Sequence, residues 1–337
     1  MKPIKKITVI GDGGWGTTLA IHLAKKKYSV VLWGAFADHV KEVSKTRVNK
    51  KFLPGYRIPN NVELTSDIHH AIKYGDLIVL ACPSEYLTDV LAKVKNTSYQ
   101  NKVFLSVIKG IHPVTFERMS EIIKKSLGKI SLAVLSGPTI ASEVAAGWAT
   151  TAVVASQNVE LAKQIQKIFH SSDFRIYTNA DIVGTEIAGS IKNVIAIGCG
   201  VCDGLGLGTN AKAALLTRGL AEITRLGIAM GAKKETFYGL TGLGDLVTTC
   251  VSPQSRNRSV GEALGKGKKI DKILGDMSMV AEGVVTSKAV YNLSRKLKIS
   301  MPITEQVYKI IFKGKNVSKA MQELMTRQPK SENFIKN

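Results

Sequence analysis

Apolar residues fall along the first half of the chain in short, nearly continuous runs: KITVIG (6–11), SVVLW (29–33), DLIVLAC (76–82), KVFLSVI (102–108), SLAVLS (131–136) and TTAVVA (150–155). A strand with one wet face alternates apolar and polar positions, whereas a strand covered on both faces is apolar throughout, as in a parallel sheet between helices. Helical spacing fills the gaps, most clearly over 17–26, 84–94, 115–127 and 159–169. The pattern predicts an α/β fold, a Rossmann-like, doubly wound, mostly parallel sheet. After FRIYTN (174–179) the strand signal stops, and helical patterns run to about residue 327, over 182–202, 211–230 and 286–297. A last helix is opened by MPIT, with Pro302 in its first turn. The expected organisation is a dinucleotide-binding domain at 1–181, an all-α substrate and catalytic domain at 182–329 and a frayed tail at 330–337.

Length supports two domains, since 337 residues exceed what one hydrophobic core usually covers. The longest apolar run, broken by Gly and Asn, reads as too short to span a bilayer, and MKPIKKITVIG passes into a strand pattern with no export-signal core. A cytoplasmic protein without stable membrane insertion is expected. The net charge of +21 raises the question of nucleic acid, yet the 47 basic residues are scattered in twos and threes, without a basic tail or an aromatic-laced stripe. No nucleic-acid partner is expected; a basic surface of this kind attracts phosphorylated small molecules. Four cysteines suggest no disulfide framework. The pair Cys199 and Cys202 has no second pair for zinc and lies inside an apolar run, so it reads as packing, and no metal is expected.

Chemistry begins at TVIGDGGWGTTLA. Gly11, Gly13 and Gly16 form G-x-G-x-x-G between a strand and a helix, with Gly14 and Trp15 inside the loop. Glycines there allow the tight turn and let N–H groups at a helix N-terminus approach a dinucleotide pyrophosphate. An acid at the end of the next strand would read the 2′-hydroxyl of NAD, and a basic residue the 2′-phosphate of NADP. The chain has LWGAFAD there, with neither before Asp38, so cofactor preference stays open and acceptance of NADPH is the expectation.

In the second half, EIAGSIKNVIAIGCGVCD carries one cation, Lys192, in an apolar helical run. A buried ammonium is costly unless an anionic or polar group meets it; a lysine whose stem packs while its head reaches water is the plainer alternative. TGLGDLVTTC sets Gly242 and Gly244 in a tight turn before Asp245, which either caps a helix or accepts from a substrate hydroxyl. SPQSRNRS gathers Ser255, Arg256, Asn257 and Arg258 at a helix start, suited to a phosphate if it is not simply a polar turn. VAEGVVTSK places Glu282 in a loop before a helix.

The ordered set GDGGWGTTLA, IKGI, LSGPTIASEVAAG, IKNVIAIG, DGLGLGTNAKAALLTRGLAEITRLG, FYGLTGLGDLVTTC, QSRNRS, VAEGV and MPIT resembles the bacterial NAD(P)-dependent glycerol-3-phosphate dehydrogenase family, from residue 5 to about residue 325. The resemblance implies an oxidoreductase that interconverts dihydroxyacetone phosphate and sn-glycerol 3-phosphate with NAD(P)H, supplies phospholipid synthesis and forms a homodimer. It makes Lys192 the proton donor and acceptor, and places Lys109 between nicotinamide and substrate as the second catalytic residue. It implies that Gly137, Thr139, Asp245, Ser255, Arg256 and Asn257 bind substrate alongside both lysines. The dinucleotide would meet Gly11, Gly13, Gly14, Trp15, Gly16, Lys109, Ala141, Arg256, Val280 and Glu282. The chain departs from the family at Ala35, where Arg or another polar residue is usual, and at Ile140, where Phe is common. Dehydrogenases of the β-hydroxyacid and 6-phosphogluconate types share the architecture but do not explain GLGDLVTTC together with QSRNRS. A catalytically silent dinucleotide sensor or basic scaffold would have no use for Lys192, Lys109 and Arg256 together.

Overall fold

The computed structural model describes residues 3–277, 280–329 and 331–332. The chain separates into two compact units, one formed up to Lys109 together with Glu117–Ile182, the other by Gly110–Phe116 together with the chain from Val183 onward. Apart from Ser331 and Glu332, the tail expected at 330–337 lies outside the described residues.

The first unit holds β1 (Lys6–Ile10), β2 (Ser29–Trp33), β3 (Val62–Thr65), β4 (Leu77–Leu80), β5 (Val103–Ser106), β6 (Ser131–Ser136), β7 (Thr150–Ala155) and β8 (Phe174–Asn179). They make one sheet in the order β3-β2-β1-β4-β5-β6-β7-β8. Every pair is parallel except β6 with β7. The expected fold class is what the chain adopts. Its helices are α1 (Gly14–Lys25), α2 (Ala37–Thr46), α3 (Ile68–Tyr74), α4 (Leu87–Lys95), α5 (Met119–Leu127), α6 (Ala141–Ala146) and α7 (Val159–Phe169). β4 shows why the strands are apolar throughout: Leu77 and Val79 join the core under α1 and α7, while Ile78 and Leu80 join the core under α3, α4 and α5. The strand order reverses between β1 and β4, so their carboxyl ends frame the crevice in which such sheets bind ligands.

Elements without a full apolar period went unread: α2, α3, the one-and-a-half-turn α6, and β3, an edge strand with one buried residue in four. The helix expected over 115–127 starts only at Met119. Phe116 has φ of +62°, which no α-helix accommodates, and the Glu121 side chain accepts from Arg118 N at 2.8 Å to open the helix there. The preceding residues 110–116, inside the first-domain span on sequence, pack with the second unit, where Ile111 is buried in the core and Phe116 lies against it.

The second unit is helical: α8 (Ile182–Gly204), α9 (Gly208–Ala229), α10 (Asp245–Val251), α11 (Arg256–Gly265), α12 (Ile270–Gly275), α13 (Glu282–Lys296), α14 (Pro302–Lys313) and α15 (Val317–Met325). At 23 residues α8 is long and apolar enough to cross a membrane by composition, contrary to the sequence reading, but 94% of its apolar window is buried inside the protein. Glycines let α8 and α11 approach backbone to backbone. A Cβ on Gly200 would overlap the carbonyl oxygen of Arg258, and one on Gly261 that of Ile197.

Pro302 opens α14 as the sequence suggested, but the cap comes from afar. The Glu222 carboxylate, on α9, accepts from Ile303 N at 2.6 Å, Thr304 N at 3.1 Å and Thr304 Oγ1 at 3.0 Å. Burial is the main cause that pushes the Glu222 pKa up to about 7, against these three bonds and Arg225, which favour the carboxylate. Because the folded value is raised, the stability of the neutral form is fully present below the ordinary carboxylate pKa and is lost as pH rises through about 7. Between pH 4.5 and 8 this group should therefore cost on the order of 3 kcal/mol of stability. Glu222→Gln, which is neutral throughout, should flatten that part of the profile in denaturant titrations across this range. A variant with the parent's slope would remove Glu222 as its source.

Candidate active site

The loop from β1 into α1 is shaped by what glycine lacks. Gly11 donates its N–H to Trp33 O at 2.9 Å with φ of +116°, and a Cβ there would press at 2.8 Å on the backbone of Ala81 and Cys82. A Cβ on Gly16 would overlap Gly11 O, and one on Gly14 would lie 2.7 Å from Phe52 O. Gly13, the N-cap of α1, contributes no side chain, and a Cβ on it would meet nothing within 4 Å. The first turn of α1 also carries no acidic residue. Its first N–H groups thus meet no capping side chain, beside a loop that side chains in place of the glycines would fill, a cradle that fits a pyrophosphate. Trp15 stands edge-on to Phe174 with centroids 6.4 Å apart, so its ring serves the core and its N–H is what it can offer a ligand.

Also in the first unit, Lys109 Nζ donates to Gly137 O at 3.0 Å, and Thr139 Oγ1 donates to the same oxygen at 3.2 Å. Gly137 has φ of +140°, and a Cβ would lie 3.0 Å from Ala152 Cα, so this turn needs glycine to bring the three together. Ala141 opens α6, fixed to α1 by Thr18 Oγ1, which donates to Ala141 O at 3.0 Å. A Cβ on Gly14 would lie 3.9 Å from that of Ala141, so both stand at one edge of the glycine loop.

In the second unit the α8 lysine is buried, with only 5% of its surface exposed. Lys192 Nζ pairs with Asp245 Oδ1 and donates to Thr249 Oγ1 at 2.6 Å. Asp245 is 1% exposed, so the charge pair is withdrawn from water, and the head of Lys192 does not escape to solvent. Thr249 donates in turn to Asp245 O at 2.7 Å. Asp245 is therefore neither a simple cap nor preceded by a tight turn: Leu240–Gly244 forms a π-helical segment leading into α10. Gly242 is needed there because a Cβ would overlap Phe237 O.

Ser255 caps α11 by accepting from Arg258 N at 3.3 Å, which leaves Arg256 and Asn257 in its first turn. Arg256 donates to Val280 O at 2.7 Å. Partial desolvation lowers the Arg256 pKa while Glu282 opposes the shift; the side chain still reaches solvent, and a guanidinium stays charged under such a change. Asn257 Oδ1 accepts from Gly283 N at 2.9 Å. A Cβ on Gly283 would lie 2.7 Å from both Asn193 O and Asn257 Oδ1, so the start of α13 is fitted against α8 and α11. Glu282 is the first residue of α13, not part of a loop as the sequence reading had it. The two units thus each carry a cluster: Gly11–Gly16 with Lys109, Gly137, Thr139 and Ala141 in one, and Lys192 with Asp245, then Ser255, Arg256, Asn257, Val280 and Glu282, in the other.

The family description "NAD-dependent glycerol-3-phosphate dehydrogenase N-terminus" matches residues 6–162, and its C-terminal counterpart matches 181–322. The chain belongs to the NAD-dependent glycerol-3-phosphate dehydrogenase family. It is 49% identical over 329 residues to the glycerol-3-phosphate dehydrogenase [NAD(P)+] of Prosthecochloris aestuarii, covering 97% of this chain and 99% of that protein. With the enzyme of the same name from Chlorobium limicola the identity is 46% over the same shares. The crystal structure of glycerol-3-phosphate dehydrogenase from Coxiella burnetii superposes with a TM-score of 0.93 at 38% identity, covering 96% of this chain and 99% of that one.

Within this dehydrogenase framework, Thr249 is the residue that sequence reasoning missed. Its signal was present in GLGDLVTTC, because positions four apart share a helix face and Thr249 follows Asp245 by one turn. All four cysteines are buried and lie outside any disulfide. Burial pushes the Cys202 thiol up to about 11 and raises that of Cys250, against which Cys199 lies, so this group packs as thiols in the dehydrogenase core.

Proposed function

We propose that the protein reversibly reduces dihydroxyacetone phosphate to sn-glycerol 3-phosphate, with Lys192 as general acid in reduction and general base in oxidation. The observation that carries this reading is the buried Lys192 ammonium held against Asp245 and Thr249. NAD(P)H, when bound at the glycine loop, supplies the hydride. As C2 of the ketose accepts it, negative charge develops on the carbonyl oxygen; Lys192 Nζ stabilises that charge and donates the proton. Asp245 and Thr249 orient the ammonium, and low dielectric strengthens its effect. Lys109, with Gly137 and Thr139, supplies a second cation and a hydroxyl for substrate, while Ser255, Arg256 and Asn257 at the start of α11 combine charge and directed donors for the phosphate. Arg256, Val280 and Glu282 also serve the dinucleotide, together with Gly11, Gly13, Gly14, Trp15, Gly16, Lys109 and Ala141. Supply of phospholipid synthesis, a cytoplasmic location without stable membrane insertion, and a homodimer belong to the same proposal; light scattering on the purified protein tests the last.

Initial rates of dihydroxyacetone phosphate reduction, with NADH and NADPH compared, test the activity. Absence of turnover with both would leave a silent dinucleotide sensor. Arg256→Ala should raise KM for dihydroxyacetone phosphate by roughly ten- to a hundredfold, the worth of a charge-assisted hydrogen bond, and weaken the dinucleotide as well. Near-parental constants would remove Arg256 from the phosphate site.

A further inference from the structure

The end of β2 offers no acid, yet an acid stands there. Asp12, the second residue of the glycine loop, directs its carboxylate at Gly34, the residue that follows β2: a Cβ on Gly34 would lie 2.6 Å from Asp12 Cγ. The carboxylate occupies the space that a side chain at the end of β2 would otherwise take. Parallel pairing holds it there, with Ile10 opposite Trp33, Gly11 N donating to Trp33 O at 2.9 Å and Gly34 N donating to Thr65 O at 3.0 Å. The backbone oxygen of Asp12 is also tied down, accepting from Asn49 Nδ2 at 2.7 Å and Thr17 Oγ1 at 3.1 Å.

The chemistry of this corner is unfinished. Asp12 Oδ2 lies 3.7 Å from His39 Nε2, beyond hydrogen-bond distance, with their side chains 14% and 15% exposed. His39 Nε2 is buried without a hydrogen-bond partner among the described residues. Burial raises the Asp12 pKa, while His39 and Lys51 favour the carboxylate. Lys51 is drawn over the Phe52 ring, 5.0 Å from its centroid. Ala35 and Phe36, the next residues out, are exposed and carry no charge. A mostly buried acid met by its own backbone N–H and by no side-chain donor within hydrogen-bond distance among the described residues, beside a glycine loop and at the carboxyl end of β2, stands where a Rossmann fold reads the adenosine ribose.

We infer that Asp12 reads the dinucleotide: its carboxylate accepts from the ribose 2′-hydroxyl of NADH and repels the 2′-phosphate of NADPH, so that the enzyme is NADH-selective. This rests on the dinucleotide site proposed above and reverses the expectation of NADPH acceptance drawn from the missing acid at residues 34–37. The acid is supplied by the loop itself, and Gly34 makes room for it. Ala35 then needs no polar side chain, because the discriminating group approaches from β1.

Dissociation constants for NADH and NADPH, measured by nicotinamide fluorescence on the full chain, test the inference alongside kcat/KM ratios with dihydroxyacetone phosphate. The parent should favour NADH by at least about tenfold, and the near-isosteric Asp12→Asn should lose about tenfold of that ratio, as expected for one charge-assisted hydrogen bond. Asp12→Ala should do the same with the hydrogen bond removed outright, and thermal melting of both variants confirms that they are folded. A parent without NADH preference, or an unchanged ratio in folded Asp12→Asn, would overturn the Asp12 assignment while leaving the dinucleotide site intact. Failure of the parent to bind either dinucleotide would overturn the site itself, and the inference with it.

Discussion

Lys192→Met should lower kcat by at least about a hundredfold in both directions, the lower range for a lost general acid, while dinucleotide affinity stays near parental because the glycine loop belongs to the other unit. From sequence, methionine in an apolar helix removes a desolvation cost and stability should hold. The structure reverses that part. Asp245 is 1% exposed and ion-paired to Lys192, so methionine withdraws the cation from a buried carboxylate, a change that costs roughly 3–5 kcal/mol. The melting temperature of Lys192→Met should therefore fall markedly. Lys192→Met combined with Asp245→Asn should regain much of it, because no buried charge is left uncompensated, and should remain as inactive as the single variant. Melting curves, cofactor titrations and steady-state rates on the two proteins separate catalysis from stability. A kcat within a few-fold of the parent in either would sink the proton-donor role.

Gly261→Ala should be among the most damaging single methyl groups in the second unit. Its Cβ would overlap the carbonyl oxygen of Ile197 and lie 2.8 Å from Ile197 C and 2.9 Å from Val201 N, all backbone atoms of α8 that no rotamer change can move. The two helices must separate, at a cost of about 1–3 kcal/mol or more for overpacking. The functional consequence follows from what each helix carries: α8 holds Lys192 and Asn193, and α11 opens with Ser255, Arg256 and Asn257. A shift between them should raise KM and lower kcat together, unlike Arg256→Ala, which acts mainly on KM. Gly275→Ala at the end of α12 is the control: a Cβ there meets nothing within 4 Å, and alanine suits a helix better. Its melting temperature should match or exceed the parent's. Equal melting of Gly261→Ala and the parent would show that α8 and α11 separate without cost.

Whatever depends on neighbours along the chain is legible in the order of residues. Doubly covered strands show as unbroken apolar runs, α8 as an apolar helical stretch with one cation, the glycine loop by its place between strand and helix, and the start of α14 by Pro302. Motif order then carried the family, with Lys192, Asp245 and Arg256 as candidates. Short elements such as β3 and α6 were lost because too few residues in them reach the core to leave a period. Which groups meet depends on how the folded chain returns on itself. Lys192 finds Asp245 53 residues away, Glu222 caps α14 from 81 residues away, and Asp12 fills the space left by Gly34 across two paired strands. Residues 110–116 leave one unit to pack in the other because Ile111 and Phe116 are apolar and find their core there, which no local pattern announces. Spacing along a helix or strand is set by local geometry and is written in the order of residues, whereas the partner of a buried charge depends on where the chain returns after tens of residues. That return is fixed by burial of the whole core, and so the candidates could be named from sequence while their charge state, their partners and the cost of removing them could not.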